Sequence, residues 1–457
     1  MRSVVVLALG AAACGELVSL DAPSVDASDA ADTVDVTTAP STSSATESST
    51  ASPDPTSTDA TGVAPDLPVD PPTTCDPGCE VELVSRWRWR APSLQVPNTK
   101  GSRSLTGLAR LFNDGLLVAE QRGDRIWISN LASDGQEQWT SLLELFCDCT
   151  LVDLAQSPLG DVVFTAEGSS GGFTPLMVVG RFGGGDLGSA WFEWVFLSGT
   201  PERQPRVGSV VPRVANFGGR GATGAMLIEP DLSTPDREIV RMFVFDVFVS
   251  IIDLTNIDFQ WATDPRHRPL GIELGSADLA VAFPAFDGDQ DRGYVVWLQP
   301  GSYQARDAQP LPGISDDLAV GADGRLIVVS HLQRTPEQLE LHVASLAPDL
   351  PPSWEASHGV WTEWAGPARL AVDAQGRTYL AVPRLQGDGD ELELGIELLS
   401  FEDDGRLRFR TAVPMVAEPG SHPVELAVTG EGSIVLAATV NGRVQVEAFE
   451  QGCTCEE

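Results

Sequence analysis

Residues able to do chemistry are few and scattered. The chain holds five histidines, His267, His331, His342, His358 and His422, and no two have the spacing of ligands to one metal ion. Three aspartates at alternate positions, Asp287, Asp289 and Asp291 in "DGDQDRG", could begin the oxygen cage that a hard cation such as Ca²⁺ prefers. Such a loop needs Gly at its sixth position, where Arg292 stands, and no bidentate Glu follows. The similar "QGDGDE" (386–391) favours a solvated acidic turn, with Ca²⁺ as the alternative and no other cofactor expected. "GSSGG" (168–172) has the G-x-S-x-G form around Ser170, and "GRGATG" (219–224) has the form of a dinucleotide loop. Each would need a helix to follow, and strand-like runs flank both. What remains is a set that could converge: His267, Asp316, Asp317, Arg369, His422 and Glu425 stand in loops or at the starts of apolar runs. Gathered around one opening, they would make either a ligand face or a carboxylate and histidine site that activates water on a metal. Dispersed, they are ordinary solvated loop residues.

The elements that would gather them are repeats. "LAVGADGRLIVVS" (318–330), "LAVDAQGRTYLAV" (370–382) and "LAVTGEGSIVLAA" (426–438) share one plan of an apolar triplet, a Gly-centred turn and a β-branched run. Looser copies begin at Leu108 and Leu154, and degenerate ones at Val210 and Ser276, which makes seven. Each reads as a hairpin, because Gly supplies the left-handed turn position and Val, Ile and Leu suit a buried pleated surface. A second, more amphipathic strand pair follows, often carrying tryptophan, as at Trp139, Trp194, Trp261 and Trp354. Four strands per unit and seven units predict an all-β fold, a seven-bladed β-propeller, with loops that enter each inner strand sharing one face. The outer-strand tryptophans should wedge between blades.

The last unit stops one strand short, while "VELVSRWRWRAPS" (81–93) has an outer-strand signature with no hairpin before it. The N-terminal strand is therefore expected to complete the last blade, removing exposed sheet edges. Six cysteines in three tight pairs, Cys75 and Cys79, Cys147 and Cys149, Cys453 and Cys455, read as disulfides in an exported chain. The first and third pairs flank the expected closure and could bond across it; a four-thiolate zinc site is the alternative there. Cys147 and Cys149 are expected to bond to each other or to a terminus.

Export itself is legible at the start. Arg2 precedes a short apolar run ending in Ala11, Ala12 and Ala13, too short to span a bilayer as a helix and suited to signal cleavage. With Cys14 at that junction the segment resembles the lipobox of bacterial lipoproteins, with Ala11 where that pattern has Leu. The resemblance implies removal of residues 1–13, acylation of Cys14 and a membrane anchor; Gly15 after the cysteine implies the outer membrane. The other reading is a plain secretory signal and a free Cys14 thiol. Residues 14–74 contain no Lys, Arg or aromatic residue, and such a composition predicts a disordered linker of about 40 Å mean span. Residues 75–457 are then the propeller domain.

Net charge is −36, and the linker holds only eleven of the 65 acidic residues, so the folded part is acidic as well. Phosphate binding needs a basic face, which argues against nucleic acid and against lying on anionic lipid. The "LAVDAQGRTYLAV" type of unit resembles NHL and SBBP propeller repeats, and "DLAVAFPAFDGDQDRGYVVWLQ" resembles an FG-GAP repeat. That resemblance implies a toroidal scaffold and nothing narrower about activity. Two functions are expected: a monomeric, non-enzymatic envelope scaffold that binds a protein or glycan, or a metal-assisted hydrolase or lactonase.

Overall fold

The computed structural model describes residues 6–8 and 79–455. Within the second stretch it leaves out residues 93–102, 124, 146, 158–159, 171–173, 184–190, 198–204, 215–221, 231–237, 246–248, 254–267, 275–277, 287–290, 300–303, 336–337, 362–364, 387–392 and 419–421. Cys14, the 14–74 linker, Cys75, Trp261, His267, Asp287 and Asp289 lie outside the described residues, as do the side chains of Cys79, Asp291 and Cys455. Every other element is a strand; no helix occurs among the described residues.

Seven antiparallel sheets follow one another along the chain. Blades 1 to 6 span residues 103–143, 148–196, 206–253, 270–310, 314–361 and 369–417, each with four consecutive strands. Blade 7 takes three strands from residues 425–455 and its fourth, Cys79–Arg90, from the other end of the domain. A three-residue strand, Val6–Ala8, also lies antiparallel on the outer strand of blade 2, Trp191–Phe196.

The inner hairpins form where Gly-centred turns interrupt apolar runs. In blade 5, Gly321 N–H donates to Arg325 O at 2.8 Å and Gly324 takes a φ of 78°. Asp373 to Arg377 in blade 6 and Thr429 to Ser433 in blade 7 repeat this turn. The fourth unit corrects the sequence reading. Its "LAVAF" run, Leu279–Phe286, is the second strand of blade 4, and the inner strand is the short Leu270–Glu273. The acidic turn after Phe286 therefore joins strands two and three, as does the one after Gln386.

Apolar side chains gather at the blade junctions rather than in one central core. Seven buried clusters occur among the described residues, one between each successive pair of blades, and the last joins blade 7 to blade 1. Outer-strand tryptophans extend these clusters. Trp354 of blade 5 stacks on Phe401 of blade 6, with ring centroids 6.5 Å apart, and covers Gly405. Trp87 of blade 7 covers Gly135 of blade 1 and donates its indole N–H to Ser133 O at 2.9 Å. Both glycines have φ near 80°, and a Cβ on either would lie within 2.5 Å of the indole. The turn must be glycine so that the ring can lie flat on it.

Closure is a long antiparallel zipper. Cys79–Arg90 pairs with Arg443–Cys455 from Cys79 opposite Cys455 to Arg90 opposite Gln445, with one bulge between Ser85 and Trp87. Arg88 forks onto the buried Glu447 with two bonds of 2.7 Å. Cys147 and Cys149 are bonded to each other. Cys453 is also in a disulfide, which removes it from the zinc alternative.

Candidate functional site

The inner strands begin around a central cavity of about 570 Å³ whose wall takes residues from all seven blades. Asp316, Asp317, Arg369, His422 and Glu425 all line it. His267 lies outside the described residues, but the adjacent Arg268 lines the cavity too. His331 lies just behind, its Nδ1 2.7 Å from Asp316 Oδ1. His342 and His358 sit on the outer half of blade 5, where His342 Nδ1 is 2.8 Å from Ser357 Oγ and His358 packs on Phe401.

The carboxylates do two different jobs. Asp317 Oδ1 accepts the N–H of Leu318 at 2.8 Å, and its Oδ2 accepts that of Leu370 in blade 6 at 2.9 Å. Asp153 repeats the device between blades 2 and 3, accepting from Leu154 at 2.8 Å and from Val210 at 2.9 Å. Asp316 Oδ2 accepts from Ala368 at 3.2 Å, and Ser209 Oγ accepts from Gly271 at 2.8 Å. These side chains tie one inner strand to the next, and they satisfy backbone N–H groups that face the cavity. Ladder register shifts between Leu151 and Asp153 and again between Ser315 and Asp317, so Val152 and Asp316 are the unpaired residues of two bulges beside Asp153 and Asp317.

Arg369 is the hub of the charged set. It bonds Glu425 Oε1 through Nη2 at 2.9 Å and Nε at 3.1 Å. His422 Nδ1 lies 2.8 Å from the same oxygen and 3.1 Å from Arg369 Nη2. A ring nitrogen that close to a carboxylate oxygen must carry the proton and donate it, so it cannot also accept from the guanidinium. Arg369 therefore donates to Glu425 alone, and His422 presents Nε2 as its second functional atom. Across the cavity, Arg268 donates to both oxygens of Glu167 and, at 2.6 Å, to Val207 O.

Burial and charge divide the carboxylates. Burial opposes ionisation of Glu425, yet Arg369 and His422 outweigh it and hold the group below the usual carboxylate range. Burial pushes Asp317 up to about 7, with Arg369 and the two N–H bonds offsetting only part of it, and burial also raises Asp153. For Arg369, burial works against the cation, but Glu425, Asp317, Asp153 and Asp316 together hold its pKa above the ordinary value.

A stability signature follows. The folded pKa of Asp317 lies above its unfolded value, so its contribution is complete below about pH 4 and is lost as pH rises through 7. Denaturant unfolding should therefore show stability falling by on the order of 2 kcal/mol between about pH 5 and pH 8. Asp317→Asn should reduce that slope without abolishing it, because burial also pushes Glu193 up to about 7. A wild-type slope that is flat or rising would contradict the buried, weakly acidic Asp317.

Two hydroxyls complete the wall. Thr106 and Ser315 are buried and line the cavity, and neither Oγ has a hydrogen-bond partner among the described residues. A buried polar atom left in that state is costly, by about 1–3 kcal/mol. Sequence reasoning missed both, along with Asp153, Ser209 and Arg268. Asp153 had a signal, since it precedes "LAQ" as Asp317 precedes "LAV". Among the described residues no three His, Cys, Asp or Glu side chains are grouped to hold a metal ion. The hydrolase or lactonase expectation thus rests on no arrangement seen in them.

No protein-family model and no curated protein matches the chain. Among solved structures it is similar to Hadza microbial sialidase Hz136, at 12% identity, 73% coverage of each chain and a TM-score of 0.42. It is also similar to Kuenenia stuttgartiensis hydrazine synthase, at 10% identity, 78% coverage of this chain and 98% of that one, with a TM-score of 0.43. A glucose dehydrogenase matches at 10% identity, 80% and 98% coverage and a TM-score of 0.40. None of these likenesses bears on what this chain binds.

Proposed function

We propose that this protein is an envelope lipoprotein, anchored through Cys14, whose propeller binds a glycan in the central cavity without transforming it. One observation carries the ligand class. The inner-strand N–H groups of Val210, Gly271, Ala368 and Leu370 are already taken by Asp153, Ser209, Asp316 and Asp317. A peptide that added itself as a strand would need such groups free. Toward a ligand the cavity presents the carboxylate of Glu425, the guanidinium of Arg369 and the imidazole of His422. Closely spaced donors and acceptors of this kind suit a polyhydroxylated ligand, and Leu108, Leu270 and Leu426 supply apolar wall for its ring faces. Acidic glycans are disfavoured, because carboxylates outnumber guanidinium groups around the site.

The test is a glycan array probed with the full chain in detergent, followed by calorimetry on any sugar retained. Glu425→Gln should weaken binding on the order of tenfold or more, the effect of losing a charge-assisted bond of about 1.5–3 kcal/mol. Retention of basic peptides rather than sugars, or sugar binding indifferent to Glu425→Gln, would sink the reading. The anchor is tested separately: Cys14→Ser should move the protein from the detergent phase to the aqueous phase.

A further inference from the structure

A second polar chamber of about 540 Å³ opens at the junction of blades 2 and 3, with Asp148, Glu167 and Ser169 in its wall. Thr150 lines both chambers. Arg268 of the central cavity is bonded to Glu167 of the second, so one ion pair forms part of the boundary between them. We infer that the ligand is a chain, an amine-bearing oligosaccharide of several sugar residues, held at one end in the central cavity and running outward past Thr150 into the chamber between blades 2 and 3. This rests on the glycan reading of the central cavity and extends it.

Three observations support the extension. Two hollows with Thr150 as a common wall residue lie side by side, together larger than a single sugar ring needs. Their charge is one-sided: Asp316 and Glu425 in the first and Asp148 and Glu167 in the second stand against Arg268 and Arg369, and Asp153 and Asp317 add to the negative side as they ionise. An ammonium group is stabilised along such a path and a carboxylate or sulfate is not. The third is the Cys147–Cys149 disulfide. A loop this short removes little entropy from the unfolded chain, so it is a poor stability device. Its structural effect is local: it fixes the backbone that carries Asp148 and Thr150, the residues on either side of Cys149, and Cys149 itself is buried beneath Gly168. A binding wall rigid before the ligand arrives loses less on association.

The experiment is calorimetric titration of the full chain in detergent with β-1,4-linked glucosamine as monomer, dimer, tetramer and hexamer. Affinity should rise from dimer to tetramer on the order of tenfold or more, about 1.4 kcal/mol, and level off once the second chamber is filled. Ser169→Lys places a cation and added bulk in the outer chamber; it should abolish that gain and leave monomer and dimer affinities unchanged. Asp148→Asn should reduce the gain without added bulk, and thermal unfolding of both variants checks that they fold. Equal affinity at all lengths, unaffected by Ser169→Lys, would overturn this inference while leaving the glycan reading standing. So would fully N-acetylated oligomers binding as well as the amines, or an extended basic peptide displacing the hexamer. Failure of every length to bind, alongside an array that retains no sugar, would remove both.

Discussion

Deleting residues 79–92 is expected to abolish cooperative unfolding and leave an aggregating chain. The loss has two parts. Arg443–Cys455 becomes a thirteen-residue open edge, and an edge of that length is a template for pairing with other molecules. Trp87 and Trp89 leave the junction between blades 7 and 1, together with the indole bonds to Ser133 O and to Glu137 Oε2 at 3.1 Å. A fully buried ring of this size removes roughly 150–250 Å² from water, so at ~25 cal/mol/Å² the two are worth at most about 8–12 kcal/mol, less for the part of Trp87 that stays exposed. That is comparable with the ~5–15 kcal/mol of a whole domain. Calorimetry of the truncated chain should show no sharp transition, and adding a synthetic peptide of residues 79–92 should restore one. A truncated chain that unfolds at the wild-type temperature would show that the ring does not depend on its zipper.

Replacing Arg369 by Leu should cost about 3–5 kcal/mol at pH 8, the usual consequence of removing one partner from a buried charge cluster. Arg369 is surrounded by Glu425, Asp317, Asp153 and Asp316, and leucine leaves those carboxylates without their cation. The sign of the pH effect identifies the cause. Without the cation the folded pKa values of Asp317 and Asp153 rise further above their unfolded values and Glu425 loses the attraction that holds it low, so the deficit grows as pH rises and shrinks on acidification. Urea unfolding at about pH 8 and pH 5 should therefore show a large loss and a small one, respectively. Arg369→Lys should recover part of the difference at the higher pH, since it restores the charge but not the two bonds to Glu425 Oε1. An equal loss at both pH values would assign the effect to packing.

Much of this architecture was legible because propeller blades are built from local rules. The hairpins at Leu318, Leu370 and Leu426 announce themselves through turn chemistry that acts over a few residues, and head-to-tail closure follows from counting strands. Blade 4 misled because Leu279–Phe286 has the composition of an inner strand while serving as the second strand. Its true inner strand, Leu270–Glu273, is four residues long and too short for apolar periodicity to register. The charged ring was visible as the residue before each "LAV", which placed Asp317, Arg369 and Glu425 on the same opening. What no spacing could show is which of these groups is already committed. Asp317 looks like a ligand-binding carboxylate in sequence, yet both its oxygens hold strand N–H groups. The unpartnered hydroxyls of Thr106 and Ser315 exist only once neighbouring blades enclose them.

The division of labour around the axis has a functional consequence. Asp153, Asp316, Asp317 and Ser209 hold the inner strands in register, which leaves Glu425 and His422 to meet a ligand on a frame that does not need it for stability. Binding should then occur with little movement of the backbone, as a preorganised site allows.

The most direct measurement is a crystal structure of the full chain grown with the glucosamine tetramer. The account predicts sugar density in the central cavity, with hydroxyl or amine groups within hydrogen-bond distance of Glu425 and of His422. Density for the sugar elsewhere on the propeller, with the central cavity holding only water, would contradict it.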